Sequence, residues 1–163
     1  MITIRRFSPE DSENVKALIV RIMDDEFSDQ KSAYPTEDIQ QIDRFYGGLG
    51  DAFFVAVIDG KIVGTIAIKK EDARIALLRR LFVCKEFRRQ QIGLRLIDKA
   101  LEFCKELGYD EIVFRTTSRM QNAAKACQKR GFLPRAKIQM GSIELMKFAL
   151  SLRNGLKSPS KVS

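Results

Sequence analysis

The sequence predicts an α+β (mixed α/β) domain: a central twisted sheet of about seven strands, mixed but mostly antiparallel, flanked by about four helices. Three observations carry this. Short β-rich runs alternate with amphipathic helical stretches along almost the whole chain. The pair Asp59-Gly60 between two such runs is a tight-turn signal that demands an antiparallel hairpin. A strand, a long helix and a second strand then follow in series from Ile75 to Thr116, which demands a parallel pair.

Each element has its own warrant. Ile2 to Arg5 alternate as a short first strand. Ser8-Pro9-Glu10-Asp11 opens a helix, because serine caps, proline fits the first helical position and the acids suit its positive end. Val15, Leu18, Ile19 and Ile22 give that helix one apolar stripe, extended by Met23 and Phe27, where the acidic run from Asp24 to Asp29 loosens into a loop. A second helix is expected from Thr36 to about Tyr46, ended by Gly47-Gly48. Ala52 to Ile58 and Lys61 to Ile68 form the hairpin, and Ile75 to Val83 a longer strand. After a basic segment, a helix runs from Ile92 or Gly93 to Leu107, with Leu94, Ile97, Leu101 and Cys104 on one stripe and Leu96, Ala100, Phe103 and Leu107 on the next; Gly108 ends it. A strand at Glu111–Thr116, a short helix at Gln121–Arg130 stopped by Gly131, and strands at 132–138 and 142–149 complete the order. Residues 1–152 read as a single domain, and 153–163, with Gly155, Pro159 and three serines, as a flexible tail.

Composition narrows the function. With 163 residues, 45% hydrophobic and 31% charged, the chain can bury one real core. No apolar run approaches the ~20 residues that span a bilayer, and the N-terminus lacks the pattern of a secretory signal. Three scattered cysteines suit a reducing compartment, so a cytoplasmic protein with no membrane partner is expected. The absence of histidine and of any CxxC argues against a transition-metal site, and it removes the base of Ser-His or Cys-His nucleophilic catalysis. Residues 1–50 carry ten acids against six bases, whereas 51–163 carry eleven against twenty-three. Such asymmetry fits one face for a phosphorylated ligand and another tolerant of cations, although a merely solvated surface accounts for the total equally well.

The most informative stretch is Leu81-Phe82-Val83-Cys84-Lys85-Glu86-Phe87-Arg88-Arg89-Gln90-Gln91-Ile92-Gly93-Leu94-Arg95-Leu96. A strand runs out, a basic loop follows, and a helix begins with Gly93 near its first turn. Amides at a helix start lack intrahelical acceptors and attract phosphate oxygens. From Arg79 to Arg95, six bases (Arg79, Arg80, Lys85, Arg88, Arg89 and Arg95) face a single acid, Glu86. Here the chain resembles the GNAT superfamily of acyl-CoA-dependent N-acetyltransferases. The family signature, Arg/Gln-x-x-Gly-x-Gly/Ala after a strand ending in an aliphatic-Val pattern, falls on Arg88-Arg89-Gln90-Gln91-Ile92-Gly93, with Val83 five residues upstream. The element order matches as well, and Ala124 to Phe132 looks like the family's next helix ending in Gly-Phe.

The resemblance implies acetyl-CoA as co-substrate, no metal, and direct transfer of an acetyl group to a primary amine. The coenzyme's diphosphate would sit on the amides from Arg89 to Leu94, and its pantetheine arm beside the strand Leu81-Phe82-Val83, with Val83 supplying a backbone contact to the oxyanion. Arg88, Gln90, Gln91, Ile92 and Arg95 complete the implied coenzyme site. Asp24, Asp25 and Glu26 lie in the region that borders the acceptor cleft in this family; as a group they would attract a cationic amine, and no single base is assigned. Three departures stand out. Gln91 replaces the first motif glycine and must manage with ordinary dihedrals, or the loop must shift. Met120 stands where the family has an asparagine, with Asn122 two residues later. Cys127 replaces a tyrosine that protonates the departing thiolate: the thiol could donate that proton or become acylated, while its helical spacing from Ala123 favours a small core residue with water as donor.

The alternative reading is a non-catalytic acyl-CoA-binding or regulatory module on the same fold. A nucleic-acid-binding protein ranks below both, because most of the eleven phenylalanines fall at core positions. The acceptor is a small-molecule or peptide amine, and the chain a monomer or homodimer.

Overall fold

The computed structural model describes residues 1–29 and 35–153. Its seven strands are β1 (Ile2–Arg6), β2 (Ala52–Ile58), β3 (Lys61–Lys70), β4 (Ile75–Val83), β5 (Glu111–Thr117), β6 (Leu133–Met140) and β7 (Ile143–Ser151). They form one sheet in the order β1-β2-β3-β4-β5-β7-β6. Only the β4–β5 pair is parallel among these neighbours. Five α-helices are described, α1 (Ser12–Glu26), α2 (Glu37–Gln40), α3 (Ile42–Phe45), α4 (Ile92–Leu107) and α5 (Gln121–Lys129), with 3-10 turns at Pro9–Asp11, leading into α1, and at Lys85–Phe87. The expected fold class and element order both hold. Residues 154–163, nearly all of the expected flexible tail, lie outside the described residues.

Local chemistry explains most of the path. Asp59 and Gly60 both take positive φ (50° and 79°), the turn whose twist suits a two-residue hairpin, and Ile58 pairs with Lys61 across it. The side chains of β2 alternate between the two faces of the sheet. Phe54 meets Phe103 of α4 edge-on, while Phe53 meets Tyr46, just past α3, on the other face. Helix α4 lies so close to β3 that a Cβ at Gly64 would sit 3.0 Å from both Leu96 Cδ1 and the Phe82 carbonyl oxygen, so glycine is needed there.

One expected element is corrected. The helix from Thr36 to Tyr46 is broken at Gln41 (φ −142°, ψ 67°) into the single turns α2 and α3. Tertiary bonds override helical propensity. Asp38 in α2 is tied to Arg80 of β4, while the Phe45 carbonyl at the end of α3 accepts from Lys69 Nζ of β3.

Strand β4 bends midway. Thr65 pairs with Phe82 and Ala67 with Arg79, so Ile66 of β3 opposes two residues of β4, Arg80 and Leu81. Arg80 takes φ +55°, and the Thr65 hydroxyl donates to its carbonyl at 2.7 Å. Such a bulge kinks the strand that carries it. Pairing of β4 with β5 stops at Leu78–Phe114 although the strands continue to Val83 and Thr117, leaving an open wedge between them.

Candidate active site

The wedge is held open by a buried network. Arg80, 4% exposed at its side chain, grips Asp38, 2% exposed, through Nε–Oδ2 (2.9 Å) and Nη2–Oδ1 (2.5 Å). Arg80 Nη2 also donates to the Pro35 carbonyl, and the Tyr46 hydroxyl donates to Asp38 Oδ2 at 2.6 Å. Burial pushes the Asp38 carboxyl up, but Arg80, Tyr46 and the more distant Arg79 outweigh it, leaving the group below its ordinary value. The Tyr46 phenol is pushed up by burial, reinforced by its carboxylate partner. These contacts fix the bulge from behind.

Two cavities open along the bent strand. The first, of about 200 Å³, lies in the wedge and is lined by residues 77–82 of β4, 113–115 of β5, Pro35 and Met120. The second, of about 760 Å³, is large enough for an extended ligand and runs along the β4–α4 loop to α5. Leu81, Phe82 and Met120 line both, so the two cavities meet at these residues.

The floor of the larger cleft is a loop in a glycine-like conformation. Arg89 (φ +74°) and Gln91 (φ +60°) both take left-handed backbone angles, and Gln91 is the N-cap of α4. Of the two expectations for Gln91, ordinary dihedrals or a shifted loop, the first is corrected: its backbone adopts the conformation a glycine would, at a cost of about 1–2 kcal/mol. The first intrahelical acceptance is Arg95 N–H to the Gln91 carbonyl. The amides of Ile92, Gly93 and Leu94 therefore have no helical acceptor and open on the cleft, which these residues line. A Cβ at Gly93 would meet only Val83 Cγ2 beyond its own helix, at 3.9 Å, so the first turn of α4 is uncrowded on that side. Among the described residues, Lys85, Arg88, Arg89, Arg119 and Lys129 line the cleft against one acid, Glu26. The residues present fit a phosphorylated coenzyme by charge, by donor geometry and by room.

A family model described as "Acetyltransferase (GNAT) family" matches residues 17–132. The chain belongs to the GNAT family. Among curated proteins it is 35% identical over 97 residues to an N-acetylaspartate synthetase of Xenopus tropicalis, covering 58% of this chain and 36% of that one. It is 30% identical over 110 residues to "Probable N-acetyltransferase camello" of the same frog, covering 66% of this chain and 50% of that protein. The chain thus spans half or less of the length of these two relatives. Among solved structures, a GNAT acetyltransferase of Staphylococcus aureus Mu50 superposes with TM-score 0.81 at 25% identity, covering 93% of this chain and 99% of that one. A Salmonella typhimurium protein solved with its cofactor acetyl-CoA has the same fold, with TM-score 0.77 at 14% identity over 93% and 94% of the two chains.

Against this GNAT frame the expected site residues separate. Leu81, Phe82, Val83, Arg88, Arg89, Gln91, Ile92, Gly93 and Leu94 all line the larger cleft. Gln90 and Arg95 line neither cavity, and Arg95 lies 3.5 Å from the Ile2 carbonyl, on the side facing β1. Arg88 is already engaged: it holds Glu26 bidentately at 2.9 and 2.8 Å and donates to the Val83 carbonyl at 3.0 Å. The Val83 oxygen is thereby taken by a side chain of the same loop. Arg79 and Arg80, counted with the loop by their place in sequence, line the wedge cavity instead.

The acidic cluster divides too. Glu26 faces the larger cleft rather than the wedge, and Asp24 and Asp25 line neither cavity, because Ile22 and Glu26, one turn apart, share the face of α1 that reaches the cleft while Asp24 and Asp25 stand exposed on other faces. Cys127 is fully buried and lines neither cavity, and burial pushes its thiol up to about 12. The buried residues of α5 are Ala124 and Cys127, whereas Ala123, expected to share the core face of Cys127, lines the cleft with Ala126; the thiol therefore stands away from the cleft. Residues missed from sequence include Arg119, Gln121 and Lys129 in the cleft, and Asp38 and Tyr46 behind the wedge. Asn122, to which no role was carried over, also lines the cleft. A basic or amide side chain on each turn flanking the start of α5 was the available signal.

Proposed function

We propose that this chain transfers an acetyl group from acetyl-CoA to a primary amine by direct attack, with no covalent enzyme intermediate. One observation carries the reading: a basic cleft with open helix amides meets a second cavity at Leu81, Phe82 and Met120. Bound acetyl-CoA supplies a thioester carbonyl as the electrophile. The amides of Ile92, Gly93 and Leu94 hold the diphosphate, with Lys85, Arg89 and Lys129 offsetting its charge. The bulge at Arg80 keeps β4 apart from β5, so that backbone groups beyond Leu78 are available to an extended arm. Leu81, Phe82 and Met120 are buried and apolar, and they keep water from the junction. The acceptor enters from the wedge, which makes proximity and orientation the main contribution of the protein.

The test is release of free CoA from acetyl-CoA in the presence of a panel of amines. Amine-dependent release supports the reading. A specific observation favours the second one, a non-catalytic acyl-CoA-binding module: the residues shared by the two cavities carry no ionisable side chain. Tight acetyl-CoA binding with no release for any amine would establish that alternative.

A further inference from the structure

We infer that the acceptor is a small amine that also carries a carboxylate, as an amino acid does, and that Arg79 and Arg115 recognise this group in the wedge. The inference rests on the transferase reading above and names its substrate class. Among the described residues, three arginines, Arg79, Arg80 and Arg115, line the wedge cavity, and no carboxylate does. Asp38, just behind the wall, is committed to Arg80 by two short bonds, and it lies 3.6 Å from Arg79. Arg115 has its ion-pair partner, Glu71, at 3.8 Å on the rim, where both side chains are more than one-third exposed. Among the described residues, one buried acid and one distant rim acid thus stand against three guanidinium groups, and their sum is positive.

That positive charge runs against the usual expectation for an amine acceptor. An ammonium ion would be repelled by it, whereas a neutral amine bearing a carboxylate is drawn in by the carboxylate end. Arginine forks match carboxylate geometry with two parallel bonds. Arg79 is placed for this: it rests over the Phe45 ring at 5.5 Å, so its plane is supported on one side, and it is one-third exposed. The same positive charge disfavours the protonated form of the amine, and so helps to deliver the free base that attacks. The size agrees as well, since about 200 Å³ suits a small metabolite rather than a folded segment of protein.

The experiment compares amines that differ only in the carboxylate. Alanine, aspartate and glutamate are assayed beside alaninamide, the diamides of aspartate and glutamate, and spermidine, with the wild type and with Arg79→Gln, Arg115→Gln and the surface control Arg135→Gln. The expected result is transfer to one or more of the free acids. KM for that acid should rise about tenfold or more in Arg79→Gln and Arg115→Gln, the loss of one charge-assisted bond. Arg135→Gln should leave KM unchanged, and all three variants should keep their thermal stabilisation by acetyl-CoA. Preference for an amide or for spermidine, or an unchanged KM in both arginine variants, overturns the inference while leaving the transferase reading intact. Acetyl-CoA binding with transfer to none of the acids overturns it too. Failure of the wild type to bind acetyl-CoA overturns the transferase reading itself.

Discussion

Two arginines of similar chemistry do different work on the two sides of β4. Arg80 and Arg88 each reach back to a carboxylate of the N-terminal helical region with a bidentate grip, Arg80 to Asp38 and Arg88 to Glu26. The first pair is all but sealed, at 4% and 2% exposure, whereas the second stands open to the cleft at 27% and 28%. A sealed pair has no water to replace either partner, so it is a fixed part of the frame and holds the bulge. An open pair can exchange its carboxylate for another anion at small net cost. Burial, more than the bond itself, therefore separates the arginine that shapes the site from the one that can answer a ligand.

The largest expected effect breaks the sealed side. Asp38→Ala should lower unfolding stability by about 3–5 kcal/mol, because it leaves Arg80 buried without its partner. Replacing both partners by apolar residues, Asp38→Leu with Arg80→Met, should recover much of that loss; equilibrium urea unfolding reads both. The same pair sets a pH dependence. The folded-state pKa of Asp38 is depressed, so its contribution is fully present above the unfolded value of about 3.9 and is lost as pH falls through the lower folded value. Wild-type stability should therefore fall in acid below about pH 4 more steeply than that of the double variant, as unfolding curves at stepped pH would show.

A smaller effect is expected on the open side. Glu26→Gln should change stability by no more than about 1 kcal/mol. It should also tighten coenzyme binding, since Arg88 no longer has a competing carboxylate. A loss of several kcal/mol, comparable to that of Asp38→Ala, would erase the distinction between the two pairs. The smallest effect sharpens the reading of the loop. Gln91→Gly should raise the thermal midpoint through relief of about 1 kcal/mol of left-handed backbone strain, offset in part by glycine's extra freedom when unfolded.

The same contrast marks what the sequence could disclose. The Asp59-Gly60 hairpin, the Gly108 terminator and the α4 amphipathic face are local signals, and each stands where local chemistry places it. The strand, basic loop and helix start were legible for the same reason, since they are contiguous from Leu81 to Leu94. The break at Gln41 was hidden because its causes, Arg80 and Lys69, lie far along the chain. The engagement of Arg88 by Glu26 spans 62 positions, and that of Arg80 by Asp38 spans 42. No periodicity reports such a pairing. Cys127 shows a subtler limit: helical spacing grouped it with Ala123 on a core face, but Ala123 lines the cleft and it is with Ala124 that Cys127 is buried.

The claim on which the rest depends is that the amides opening α4 hold the coenzyme's diphosphate. Thermal unfolding of the wild type and of Gly93→Glu, each with and without acetyl-CoA, tests it most directly. An acid in the first turn suits a helix start and meets no protein atom beyond its own helix closer than 3.9 Å at its Cβ, so the variant should fold at least as well without ligand. The wild type should gain about 2.7 kcal/mol at a hundredfold excess of acetyl-CoA over its Kd, and Gly93→Glu should gain almost nothing. Equal stabilisation of the two proteins would contradict the account.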